Sequence, residues 1–198
     1  MFFGGENMIL TKDFLQNEVN KYSSLNKFSL LLESRKFDNN KNYDLFISHS
    51  FMDKQLVEVL YKKFEEAGYK VYIDWKEEKL QDRENVSSET AKILRERMNR
   101  CSGLSYIATG NIVNSKWCPW ELGYADGKKN RAAILPILNS GSNEYKGLEY
   151  LGIYPYIDYN ASTNGKYEFW VNDPKDRNKY TVLREWLETG KLKDHNAN

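Results

Sequence analysis

"YDLFISHSFMDKQLVEVLYKKFEEAGYKVYID", residues 43–74, consists of two short apolar runs joined by an amphipathic segment. The runs YDLFIS and KVYID are nearly continuous in apolar residues, as expected of strands covered on both faces. Between them Leu56, Leu60, Phe64 and Ala67 recur on one helical face, and Gly68 marks the helix end. A strand, a helix and a second strand in this order form a βαβ unit, and such units build parallel sheets.

The alternation continues downstream. After the polar loop WKEEKLQDREN (75–85), a helix places Ala91, Leu94, Met98 and Cys101 on one side. Ser87 or Ser88 is its N-cap, with Glu89 near the positive end of the helix dipole. LSYIAT (104–109) is the third strand and AAILPIL (132–138) the fourth, with the helix of NSKWCPWELGYADG (114–127) between them. YLGIYPYIDY (150–159) supplies a fifth. A last helix near 176–189 carries Tyr180, Leu183 and Leu187 inward before Gly190. Upstream, residues 11–36 read as helical through Leu15, Val19, Tyr22, Leu25, Phe28, Leu31 and Leu32, until the turn residues of DNNKN (38–42). The expected fold is α/β: a central parallel five-stranded sheet with helices on both faces, plus an N-terminal helical extension. The expected boundaries are 1–40 for the extension and 41–198 for a single domain.

A length of 198 residues suits one domain with an accessory element. Its 29 Lys and Arg nearly cancel 28 Asp and Glu, so no long-range field favours nucleic acid or an anionic membrane. Cys101 and Cys118, with only His49 and His195 beside them, supply neither a metal site nor a disulfide framework and read as reduced thiols of a cytoplasmic protein. The opening MFFGGENMIL lacks the basic n-region of a signal peptide, and no apolar run reaches bilayer length.

In an open parallel sheet, ligands bind beyond the carboxyl ends of the strands, where loops diverge and helix N-termini offer N–H groups. That rule selects Ser48, His49 and Ser50 after the first strand, and Asp74 and Trp75 after the second. It also selects Thr109 and Gly110 after the third, and the start of the helix bearing Glu121. Pro119 is best tolerated in a first helical turn, so this helix should begin close to Cys118, with Glu121 near its positive end. Trp117, one turn before Glu121, sets a flat apolar surface beside a carboxylate. Such a pair suits a cationic or aromatic heterocycle attached to a sugar. The plainer alternative is a hydrophobic plug and a dipole partner. Trp120 and Leu122 read as core, and Cys118 as packing rather than nucleophile. Ser50 with Asp53 also fits a purely structural capping pattern.

Taken together, YDLFISHSFMDK, LYKKFEEAGYKVYIDW, SSETAKILRERMNRCSGLSYIAT and NSKWCPWELGYADG resemble the successive boxes of a bacterial TIR (Toll/interleukin-1 receptor) domain, over about residues 43–160. The resemblance implies a flavodoxin-like sheet and, in many members, cleavage of NAD at the nicotinamide–ribose bond, with NAD as substrate and no cofactor or metal. It implies Glu121 as the catalytic glutamate and Trp117 as a residue that stacks on a base. Ser48, His49, Ser50 and Asp74 would line the nucleotide pocket, and the loop from Trp75 to Val86 would gate it and mediate self-association. Small members without a fused effector resemble the sensor component of Thoeris-type antiphage systems, in which a separate effector protein senses a nucleotide product.

One carboxylate suffices for this chemistry. An ordinary glycosidase needs a second one to protonate the departing oxygen. Nicotinamide in NAD already carries positive charge and leaves as a neutral ring. Glu121 then has only to hold the ribose and stabilise the positive charge building at C1′, while Trp117 or Trp75 positions a flat ring. Water as acceptor gives ADP-ribose, and a nucleophile of the same molecule gives a cyclic isomer. Two other readings compete: a noncatalytic TIR adaptor acting through homotypic contacts, and a nucleoside deoxyribosyltransferase-like enzyme. A dehydrogenase lacks its G-x-G-x-x-G after a strand, and a phosphoacceptor receiver lacks an aspartate at the end of SYIATG.

Overall fold

The computed structural model describes residues 10–21, 37–73, 87–112, 115–139 and 149–196. Strands β1 (Tyr43–Ser48), β2 (Val71–Ile73), β3 (Cys101–Ala108), β4 (Ala132–Pro136) and β5 (Tyr156–Ala161) run parallel in the order β2-β1-β3-β4-β5. These are the five parallel strands expected from the sequence. The chain reverses its spatial direction at β1 and β3, so their carboxyl ends flank the crevice where such sheets bind ligands.

Helices cover both faces. On one face lie α1 (Lys12–Lys21), α2 (Lys54–Glu66) and α5 (Leu183–Thr189), whose Leu15, Leu60, Phe64 and Trp186 pack with Leu45, Ile47 and Ile107 of the sheet. On the other lie α3 (Ser88–Asn99) and α4 (Trp117–Lys129), whose Leu94, Met98, Trp117 and Leu122 pack with Phe46, Leu104 and Tyr106. The strands need apolar residues at successive positions because both of their surfaces are buried. Among the described residues no helix is long and apolar enough to cross a membrane.

Local signals account for most boundaries. The Ser87 hydroxyl accepts from the Thr90 amide at 3.1 Å and caps α3, and Gly68 follows α2 at φ +82°. Cys101 does not continue the apolar face of α3. It opens β3 opposite Tyr43, because α3 stops at Asn99 and the Lys129 ammonium caps the carbonyls of Met98, Asn99 and Cys101.

The sheet extends further than the sequence pattern indicates. Strands β6 (Tyr167–Asn172), β7 (Lys179–Val182) and β8 (Lys193–Asp194) add in antiparallel fashion beyond β5, making eight strands in all. The β5–β6 hairpin turns at Asn164-Gly165, where Gly165 has φ +79° and the Ser162 amide bonds to the Lys166 carbonyl at 2.8 Å. The predicted final helix is correspondingly shorter. Residues 179–182 pair with β6, and only Leu183–Thr189 is helical, ending before Gly190 as expected. Phe169 of β6 stacks on Phe64 of α2 with centroids 4.0 Å apart, which ties the antiparallel extension to the central core.

Of the predicted N-terminal helix, residues 12–21 are helical, and 22–36 lie outside the described residues. The Thr11 hydroxyl accepts from the Phe14 amide, and the backbone of Leu10 and Lys12 pairs with Leu138 beyond β4. Leu10 and Leu15 are fully buried. Glu18 bonds the Lys63 ammonium of α2 at 2.8 Å, in a site where both side chains are largely covered. Hydrogen bonds from Lys21 and Lys63 hold the Glu18 carboxyl below its ordinary range.

Two expectations concern stability. Phe169→Ala should remove about 3–5 kcal/mol, measured by denaturant unfolding, because it empties a filled aromatic site. Asp158 of β5 has an Oδ1 shielded from solvent with no hydrogen-bond partner among the described residues. Burial raises its pKa to about 6, against the lowering effect of a bond from Asn172. A raised carboxyl favours the folded state below its unfolded pKa and loses that contribution as pH rises through about 6. Asp158→Asn should therefore flatten the fall in stability between about pH 4 and 7 and raise stability at neutral pH by roughly 1–3 kcal/mol, read from denaturation midpoints across pH.

Candidate active site

Strand alternation turns Ser48, the last residue of β1, to the same sheet face as Phe46, toward α4. There its hydroxyl donates a 2.6 Å hydrogen bond to Oε2 of Glu121. Both residues are buried, with Glu121 only 3% exposed. A carboxylate in such a place needs donors, and the short bond to Ser48 supplies one. Helix α4 begins at Trp117, one residue before the expected start, with Pro119 in its first turn. Glu121 is thus its fifth residue and lies past the turn in which the dipole acts most strongly. The Ser48 hydroxyl is one contact that holds this carboxylate in place.

Trp117 and Glu121 are four residues apart and share a helical face. Trp117 is 4% exposed, and its ring meets Trp120 edge-on at 5.4 Å. It forms an apolar wall beside Glu121 and presents no open ring face, and its indole N–H has no acceptor among the described residues. Trp120, expected in the core, is half-buried between Trp117 and Tyr124, stacked on Tyr124 at 5.7 Å. Leu122 is buried as expected.

His49 is buried, its Nδ1 facing the Ile47 carbonyl at 3.3 Å, while its own carbonyl accepts from Cys118 Sγ at 3.1 Å. Cys118 therefore joins the end of β1 to the first turn of α4. The Ser115 hydroxyl accepts from the Cys118 amide at 3.2 Å and so satisfies one of the open donors of that turn. Ser50 is buried but makes no side-chain cap bond, so the Ser50–Asp53 capping pattern is not realised. Asp74 and Trp75, with the loop to Val86, lie outside the described residues.

Asp53 instead has a different role, one hidden from a linear reading. It is buried at the end of a 3-10 turn, Phe51–Asp53. Its Oδ2 accepts from the Thr109 hydroxyl at 2.5 Å and its Oδ1 from the Asn111 amide at 2.7 Å. Thr109 was marked by the strand-end rule, but Asn111 and the pairing with Asp53 carry no local signature, since they meet across 56 and 58 residues of chain. Among the described residues no group of three or more His, Cys, Asp or Glu is arranged to hold a metal ion. The described part of the site thus offers two buried carboxylates, Glu121 bonded by the Ser48 hydroxyl and Asp53 bonded by Thr109 and Asn111, with buried Trp117 one turn before Glu121.

Known proteins similar to this chain fall in one family. The family described as TIR domain matches residues 45–169. A curated relative from Bacillus cereus (strain MSX-D12), "Probable 3' cyclic ADP-D-ribose synthase ThsB'", is 41% identical over 190 residues, covering 88% of this chain and 97% of its own. A second, "Putative cyclic ADP-D-ribose synthase TIR2" of Cytobacillus dafuensis, is 33% identical over 95 residues, which is 48% of this chain and 25% of that protein. Among solved structures, the TIR domain of the Toll-related receptor TRR-2 from Hydra magnipapillata aligns with a TM-score of 0.43 at 14% identity, covering 58% of this chain and 82% of that one. The family match spans more than half of the sequence and the Bacillus relative nearly all of it: the chain belongs to the TIR-domain family.

Proposed function

We propose that this protein is an NAD-cleaving TIR enzyme that breaks the nicotinamide–ribose bond and closes the remaining ADP-ribose into a cyclic isomer, a nucleotide signal in antiphage defence. The observation that carries the reading is the buried Glu121 carboxylate held by Ser48 at the carboxyl edge of β1 and β3. The name of the Bacillus relative, aligned over almost the whole chain, supports the same product class and suggests a 3′ linkage.

The chemistry follows from charge. As the C1′–N bond lengthens, nicotinamide takes the bonding electrons and leaves neutral, and positive charge develops on the ribose. A fixed carboxylate in a desolvated site stabilises that charge more than it stabilises the neutral sugar, which lowers the barrier. Ser48 keeps the carboxylate from turning away. A hydroxyl of the adenosine ribose then forms the new bond to C1′ and releases its proton. Restricting water near C1′ favours this internal acceptor over hydrolysis to ADP-ribose.

Ser48, His49 and Ser50 are assigned as substrate-binding residues around Glu121, with Asp74 and Trp75 completing the pocket; Trp117, buried edge-on against Trp120, packs behind the site rather than stacking on a base. Residues 41–198 form the catalytic domain, and 1–40 an extension that docks on it through α1. Self-association through TIR contacts and a separate effector responsive to the product complete the reading. The two buried cysteines, neither in a disulfide, suit a cytoplasmic setting.

The test is NAD turnover by wild type and Glu121→Gln, in purified form and in lysates of phage-infected cells, with products resolved by mass spectrometry. Wild type should release nicotinamide and a cyclic product, and Glu121→Gln should be slower by at least about 100-fold. Equal turnover by both forms, or none by either, would contradict the assignment. Intact NAD in all samples would favour a noncatalytic adaptor, and cleavage of nucleosides instead would favour deoxyribosyl transfer.

A further inference from the structure

We propose that Asp53 is a positioning residue of this active site, closing a ring of hydrogen bonds that keeps Glu121 in register with Ser48. The inference rests on Glu121 being the catalytic carboxylate. Asp53 touches neither Glu121 nor Ser48 in any bond described above, so its influence runs through the loops that carry them.

The ring can be followed bond by bond. From Asp53 it passes to the Thr109 hydroxyl and the Asn111 side-chain amide, and the Asn111 backbone amide in turn bonds Thr109 Oγ1 at 3.1 Å. The Ile112 amide reaches the Thr109 carbonyl at 3.4 Å, and the Ser115 amide reaches the Ile112 carbonyl at 3.0 Å. The Ser115 hydroxyl donates to Cys118 Sγ at 3.0 Å, and Cys118 Sγ donates to the His49 carbonyl. From His49 the backbone leads through Ser50, whose carbonyl accepts from the Asp53 amide at 3.0 Å. The circuit therefore encloses the end of β1, the end of β3 and the first turn of α4.

Apolar packing does not explain the placing of the 3-10 turn. Phe51 and Met52 are 53% and 74% exposed, while Asp53 is 3% exposed. The only residue of that turn to be buried is a carboxylate with both oxygens paired. Charge-assisted bonds of this kind are stronger than neutral ones, and a buried carboxylate left without them is strongly disfavoured. Asp53 is thus the group whose loss would let the loop after β1 move relative to α4. Misplacing a reacting group by about 1 Å can slow a reaction by about 100-fold.

The chain carries its own reporter. Cys118 sits within the ring, whereas Cys101 lies at the opposite end of β3, buried, with its thiol pushed up to about 12 by burial. Iodoacetamide labelling of the full-length protein, quantified at each cysteine by mass spectrometry, therefore separates local opening from global loss of structure. Asp53→Asn and Thr109→Val should raise Cys118 labelling by at least about tenfold with Cys101 unchanged, and Thr109→Ser, which keeps the hydroxyl, should match wild type. In NAD turnover the same two variants should lose kcat by at least about tenfold with KM within about twofold. Glu121→Gln should slow turnover by at least about 100-fold and leave the labelling unaltered. Unchanged Cys118 labelling, a parallel rise at Cys101, or faster labelling with wild-type kcat would each overturn the proposal. Retained turnover in Glu121→Gln would instead remove the functional reading, while the labelling still decides whether Asp53 holds the ring.

Discussion

A parallel sheet buried on both faces leaves little room for polar chemistry except at the ends of its strands. In this protein two helical layers seal the sheet, and nearly every residue of β1, β3 and β4 is buried. Polar groups that must be covered can be satisfied where strands end and helices begin, because loop backbone and side chains meet there. Ser48, Asp53, Thr109 and Glu121 are four buried polar residues gathered at that edge. Ser48 bonds Glu121, and Asp53 bonds Thr109 and the loop residue Asn111, so these bonds serve the fold and the edge together.

This constraint explains what was legible in the sequence. The apolar runs at 43–48, 70–74, 104–109, 132–138 and 150–159 and the amphipathic segments between them lead to the β2-β1-β3-β4-β5 core, with strand ends shifted by a few residues. Placing Ser48 and Glu121 at one edge needs only that topology. The antiparallel strands β6–β8 were missed for a physical reason: Tyr180, Leu183 and Leu187 fall at helical spacing, although Tyr180 belongs to a strand and the other two to a short helix. The Asn164-Gly165 turn, followed by alternating inward Phe169 and Val171, was the available hairpin signal.

The side-chain network was the least legible part. Ser50 and Asp53 have capping spacing, yet Asp53 bonds to Thr109 and Asn111 because those groups arrive at the same edge from β3. Local propensity predicted a local partner, and tertiary placement supplied a better one. Trp117 shows the same effect. Its position four residues before Glu121 is helical arithmetic, but its burial edge-on against Trp120 depends on how α4 packs. Of the residues around Glu121, Trp117 and Trp120 pack on each other, and Cys118 ties the first turn of α4 to the carbonyl of His49 after β1.

The most informative measurement is a crystal structure of Glu121→Gln with intact NAD bound. A ribose hydroxyl on the nicotinamide side of NAD should lie within about 3.2 Å of the residue 121 side chain, with Ser48 still bonded to it and nicotinamide pointing out of the β1–β3 edge. NAD seated away from that edge, or with its adenosine rather than its nicotinamide ribose beside residue 121, would contradict a mechanism in which the Ser48-held carboxylate stabilises positive charge at C1′.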